Sequence, residues 1–428
     1  MRVTPFVLRF VASHALALSL AAGATPAAAQ DRLFVGTGEL GAFGHFGERL
    51  GPAPDAVYGR LVGGGRYVVG GTPFDQSPAV FDTRTGQLVA ISPGQVVEVD
   101  PVQPRLFIND GAHISVWDVE RRVLTPLAPA LPNTFLTVTG AAYAPAVDEL
   151  FVWSRAFTAS VAPPIFVVDV GRATTVRTLT IGNDFAGSWR VTPDGTRLVV
   201  SFSTGGTRLV LYDGHSGAAL ASRPVGDAST PVYDASLDRW YDVSRSGLTA
   251  FDRHLTPAAT VPFEQPSCVW QAALSLHTRR LYVTSAVGRS GSSSNVPMRL
   301  RLRVFDTVTG ALLGDRDITT SAGIAPGTLR CFLSGGTAVL TAPGPPRELA
   351  ASAVGRDITL SWTRVGDASQ FVLDVGLAPG RTDLTFGIGV SSPVTFAGVP
   401  PGTYYLRVRG TNEFGVSRPS NEVAIVVP

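Results

Sequence analysis

Lysine is absent from this 428-residue chain, so all 35 basic side chains are arginine. Mechanisms that run through a lysine Schiff base or a lysine nucleophile are thereby excluded. Cysteine and methionine occur twice each and histidine six times. No H-x-x-x-H or C-x-x-C spacing exists, which leaves a zinc site without sequence support. Also missing are an alternating Asp/Asn calcium loop, a P-loop Gly-Lys-Ser/Thr and a Gly-x-Ser-x-Gly nucleophile elbow. Gly36-Thr37-Gly38 and Gly63-Gly64-Gly65 are Gly-rich, yet no helix follows that could point at a phosphate. No apolar run reaches the roughly 20 residues that a membrane-spanning helix needs.

The N-terminal stretch reads as an export signal covering residues 1–29. Arg2 and Arg9 make a basic start, an apolar core follows, and Ala27-Ala28-Ala29 is a small-residue cleavage site before Gln30. A secreted, periplasmic or cell-surface location is therefore expected. With Arg2 and Arg9 gone, the basic side chains fall from 35 to 33 and equal the 33 acidic ones. Such a balance argues against nucleic acid as a partner, because phosphate binding needs a concentrated positive field. No membrane span and no cofactor are expected.

What the chain does contain is a phrase written six times: an apolar run, an Asp, a turn and another apolar run. The clearest copies are Ala79-Val80-Phe81-Asp82-Thr83-Arg84-Thr85-Gly86 and Arg303-Val304-Phe305-Asp306-Thr307-Val308-Thr309-Gly310. The others end on Asp118, Asp169, Asp213 and Asp252. Upstream of each lies a polar turn and a short apolar strand, as in Arg105-Leu106-Phe107-Ile108 or Arg197-Leu198-Val199-Val200. One unit thus holds four short antiparallel strands and recurs roughly every 36 to 54 residues, the sign of a repeat architecture. Each Asp stands before a tight turn, where its carboxylate can accept backbone N–H groups, so a turn-closing role outranks catalysis or calcium binding.

Thr192-Pro193-Asp194-Gly195-Thr196-Arg197-Leu198 followed by Leu211-Tyr212-Asp213 resembles the bacterial relatives of WD-repeat and YVTN-type propellers. The resemblance implies an all-β fold with a β-propeller over residues 30–342, and no particular function. Six phrases give six blades. A strand at Arg32–Val35 and two more, Gly327–Phe332 and Thr337–Leu340, would close a seventh from both ends and remove exposed edges. Seven blades is the expectation, with six or eight as alternatives.

Pro343-Gly344-Pro345-Pro346 reads as a stiff linker. Residues 347–428 after it resemble a fibronectin type III β-sandwich. Trp362 at the end of an alternating strand, the Pro401-Gly402-Thr403-Tyr404 turn and the Asn412 to Ser420 hairpin carry the likeness. That resemblance implies that Trp362 is core and that Tyr404 bonds back to upstream backbone.

Aligning the units on their second strands puts Glu98, Arg190 and Arg330 in one column of the innermost strands. Tyr143 and Tyr233 share the adjacent column, with Gln271 close by. These six are the candidate ligand-binding residues of a central channel. Cys268 and Cys331 can pair in an exported chain, although the alignment staggers them. The leading functional expectation is a non-catalytic binding protein offering a rigid surface to a protein or glycan. The competing one is an extracytoplasmic propeller enzyme (a glycan lyase, lactonase or hydrolase) working at the channel mouth.

Overall fold

The computed structural model describes residues 32–36, 40–43, 49–52, 60–70, 78–109, 114–127, 138–154, 164–181, 186–202, 207–225, 230–244, 247–263, 267–287, 299–318, 337–365, 368–412 and 414–428. The expected signal segment, the strand expected at Gly327–Phe332, and with them Arg330 and Cys331, lie outside this set. Every regular element among the described residues is a β-strand. They make seven four-stranded antiparallel sheets and, at the C-terminal end, a two-sheet sandwich.

The seven sheets are up-and-down meanders whose first strands are Arg60–Val62, Gln95–Val99, Val138–Ala144, Ala186–Val191, Thr230–Asp234, Ser267–Ser275 and Thr337–Leu340. Each first strand touches that of the next sheet, and Thr337–Leu340 touches Arg60–Val62, so the seven close a ring. This is the layout of a β-propeller. The seventh sheet is composite: Thr337–Leu340 pairs antiparallel with Arg32–Gly36, placing Val339 opposite Leu33.

Adjacent sheets pack face to face, and this explains why the second strands read as unbroken apolar triplets. A strand covered on both faces needs apolar side chains at every position. In Leu198-Val199-Val200, Leu198 and Val200 join a buried cluster with Phe151 and Val167 of the preceding sheet. Val199 turns the other way, into a cluster with Trp240 and Phe251 of the following one. Leu106-Phe107-Ile108 divides likewise: Leu106 and Ile108 meet Val62 and Tyr67, and Phe107 meets Tyr143 and Leu150. The outermost strands carry little of this burden, and Val123–Pro126 is exposed throughout.

All six phrase aspartates close their turns. Asp82 Oδ1 accepts from the backbone N–H of Arg84 at 2.8 Å and of Thr85 at 3.0 Å. Asp213 Oδ1 accepts from His215 and Ser216, and Asp306 Oδ1 from Val308 and Thr309. Asp118, Asp169 and Asp252 do the same in their own turns. The backbone N–H of Ser216 and that of Thr309 are the main causes holding the Asp213 and Asp306 carboxyls below the usual range. Four residues past the Asp the chain enters the left-handed region, at Gly86, Arg122, Ala173, Gly217 and Gly310.

In the C-terminal sandwich, Arg347–Val354, Asp357–Thr363 and Val394–Phe396 form one sheet. Gln370–Gly376 and Gly402–Asn412 lie at the centre of the other. Trp362 is buried between them, edge-on to Phe371 at 5.2 Å, and Tyr404 donates its hydroxyl to the Pro400 carbonyl at 3.0 Å. The Pro-Gly-Pro-Pro segment does not stand free as a spacer. Pro343, Gly344 and Pro346 are buried, and Thr341 before them bonds Ser275 Oγ and receives the Asn412 side-chain amide. Arg347 donates to the Ala235 carbonyl at 2.6 Å. These contacts seat the sandwich on the ring face that carries the turns between first and second strands.

Turn strain gives a direct test. Gly217→Ala is expected to destabilise the fold by about 1–2 kcal/mol, the usual cost of a left-handed alanine. Its φ is +73°, and a new Cβ would lie 3.2 Å from Leu179 Cβ. Ala173→Gly, in the matching turn at φ +52°, should be neutral or mildly stabilising. Chemical denaturation of the two variants beside the parent checks the opposite signs.

Candidate functional site

The first strands form the inner wall of the ring, and their register shows which positions share one level along it. Strand register places Glu98 opposite Phe107, Ala142 opposite Phe151 and Arg190 opposite Val199. Val232 and Ala273 occupy the same row, opposite Tyr241 and Tyr282. In the seventh sheet the row position is Ala338, opposite Phe34, while Arg330 lies outside the described residues. Gln271 is on the first strand of the sixth sheet opposite Thr284. Its side chain, like that of Cys268, is outside the described set, as is all of Cys331.

One position from the row, whose member in the first sheet is Leu61 opposite Val68, stands an arginine that sequence reasoning missed. Arg60, in the first sheet, bridges Glu98 of the second: Nη2 lies 2.7 Å from Oε1. Its Nη1 donates to the Val97 carbonyl at 3.2 Å, and Glu98 Oε1 also accepts the Val99 N–H at 2.9 Å. The signal for Arg60 was a basic residue opening a short apolar strand, Arg60-Leu61-Val62, before the left-handed Gly63–Gly65 turn. Elsewhere in the chain that pattern opens second strands, and here it is set in a Gly-rich stretch where the repeat phrase gives no reference point.

Arg190 projects from the fourth sheet, and its Nη1 donates to the carbonyl of its own neighbour, Trp189, at 2.9 Å. Enclosure by protein lowers the guanidinium pKa from the usual arginine value; the Glu98 charge opposes that shift and the Arg60 charge adds to it. The intervening third sheet presents small residues here. Ala142 holds the row position, and a Cβ at Gly140 would meet Trp189 Nε1 at 2.7 Å. Trp189 itself is packed between the third and fourth sheets.

The two tyrosines do different work. Tyr143 donates to Asp148 Oδ1 at 2.6 Å and Tyr233 to Asp238 Oδ1 at 2.6 Å, each clamping the turn five residues on. Both phenols are shifted upward in pKa, by burial first and by those aspartates as well. Around Tyr143, Arg105 bonds Tyr143, Asp148 and, at 2.6 Å, Asp100. Arg364 of the sandwich interacts electrostatically with Asp100 and Tyr143, so this cluster belongs to the seat of the sandwich and not to the axis. Among the described residues no group of His, Cys, Asp and Glu could hold a metal ion. Among the described residues no helix is long and apolar enough to cross a membrane.

A scan of protein-family models finds no match, and a search of curated proteins finds none. Solved structures do show likeness. One is the Kuenenia stuttgartiensis hydrazine synthase, at 16% identity and a TM-score of 0.43, covering 60% of this chain and 77% of that one. Another is the β-propeller domain of Myceliophteria thermophila Cps50 (Swd1), at 13% identity and a TM-score of 0.43, covering 61% and 86%.

The Arg60–Glu98 bridge makes a measurable prediction. Arg60→Met should cost about 3 kcal/mol, because it strands a largely buried carboxylate. Adding Glu98→Gln should recover part of that loss, and a double-mutant cycle in denaturant reads the coupling.

Proposed function

We propose that this chain is an exported, non-catalytic binding protein: a seven-bladed propeller with a fibronectin type III-type module seated on one face, recognising a protein or glycan. The reading is carried by the Arg60–Glu98 bridge between two inner strands, with Arg190 in the row of Glu98 on a third sheet and influenced by both charges. A few polar groups fixed on a stiff scaffold are what a recognition site requires. Glu98 commits one oxygen to both Arg60 and the Val99 N–H, which suits a wall group better than a proton-transfer group.

The module assignment draws on Trp362 in the core, the Tyr404–Pro400 bond and the division of strands between two sheets. Its seat on the first turn face leaves the opposite strand ends as the approach for a partner. Export rests on the N-terminal signal pattern, and it places the partner outside the cytoplasm.

A glycan array and an affinity pull-down, both with the mature full-length chain, test this reading. Saturable retention of a glycan or a protein is expected. Retention of nothing overturns it. Turnover of a glycoside, lactone or polyuronate panel by the same preparation would replace it with the enzymatic reading.

A further inference from the structure

We infer that the channel binds a carboxylate, with Arg190 as its anchor. The inference rests on the binding reading above and gives its site a ligand class.

The charge arrangement at the axis is unbalanced. Arg60 bonds the Glu98 carboxylate, and the charge of that same carboxylate acts on Arg190, in the same row, without a hydrogen bond to it. Several other enclosed arginines of the protein are matched to an acid. Arg105 bonds Asp100 at 2.6 Å, Arg177 bonds Glu149 at 2.6 Å, Arg303 bonds Asp315 at 3.3 Å and Arg409 bonds Asp374 at 2.6 Å. Arg190, like Arg364 with its bond to the Val390 carbonyl, has no such acid among the described residues: its hydrogen bond goes to the backbone carbonyl of Trp189. A guanidinium has five N–H donors in a planar fork, so most of Arg190's capacity is open to a planar two-oxygen acceptor.

Enclosing a cation without a counter-charge is unfavourable, and a ligand anion is the group that would relieve it. Glu98 sets the opposing requirement. Its negative charge beside the site weakens anion binding and favours an anion of single charge over a dianion. The neighbouring row positions are Ala142, Val232 and Ala273, which offer apolar surface and no hydrogen-bond donors to further oxygens. A monocarboxylate on a small body fits this wall better than phosphate does.

The test is thermal unfolding and calorimetric titration of the mature chain with butyrate, glucuronate, phosphate and butyramide, at constant ionic strength. At a hundredfold excess over the dissociation constant, a carboxylate should raise the melting temperature by about 3 °C, while butyramide does nothing. A response to butyrate marks a free small acid, and a response to glucuronate alone marks an acidic sugar. Arg190→Met should abolish the response and leave the ligand-free melting temperature equal or higher. Arg190→Lys, a milder change, should weaken binding at least tenfold by losing the fork, and Glu98→Gln should strengthen it.

No response to either carboxylate overturns the inference, as does an equal response in Arg190→Met or an equal response to phosphate. A ligand-free melting temperature that falls clearly in Arg190→Met also overturns it, by making Arg190 structural. Retention of a glycan or protein without any carboxylate response would sink this inference and leave the binding reading standing. A carboxylate response with no partner retained would do the reverse.

Discussion

A ring of packed sheets is stable only if it closes, and here one strand pair closes it. The second to fifth sheets bury both faces against their neighbours, so a ring opened among them would leave apolar faces in water. Thr337–Leu340 pairs with Arg32–Gly36, and the contact of Thr337–Leu340 with Arg60–Val62 completes the circle. Segments from opposite ends of the ring thus share one sheet. This pairing of the two ends carries a loop-closure entropy cost, which the packing of the intervening sheets lowers by bringing those ends together. Everything at the axis depends on it. Arg60 belongs to the sheet that Thr337–Leu340 locks in place, and Glu98 is held through Arg60.

The two ends of the ring are built to different ends. On one, hydrogen bonds to aspartate staple the turns, at Asp100 and Asp234 as well as at the six repeated phrases. These staples use the carboxylates that would otherwise look like a repeated acidic site. The same end receives the sandwich through Thr341, Arg347 and the buried Gly344, where a Cβ would lie 2.7 Å from Val365 and 3.0 Å from Leu276.

Much of the ring was legible in the sequence, because its grammar is local. An Asp before a turn, and an apolar triplet with both faces buried, each leave a mark within a few residues. The register of those triplets is what put Glu98 and Arg190 in one row. Arg60 was not legible for the complementary reason: its importance comes from a neighbour in the next sheet, and no local pattern encodes that contact. Tyr143 and Tyr233 show the limit from the other side. They lie on the strands that line the axis, yet hydroxyl bonds to Asp148 and Asp238 draw both to the turn face, an outcome fixed by side-chain direction and not by strand position. Pro343-Gly344-Pro345-Pro346 is equally silent, since the same stiff segment can hold two units apart or lie buried between them.

The axial charge makes sense as a compromise between stability and recognition. Replacing Arg190 with an apolar residue would spare the fold an enclosed, partly uncompensated cation, and cores tolerate such exchanges well. Fully pairing it with a second acid would also be quiet, as the Arg105–Asp100 contact demonstrates elsewhere in the ring. The protein does neither. It keeps one acid between two arginines, close enough for Glu98 to moderate Arg190 but bonded to Arg60 instead. An enclosed guanidinium left open in this way lowers stability while empty and gains most from an arriving anion. On the inference drawn above, that asymmetry marks Arg190 as a binding group in place of a structural ion pair.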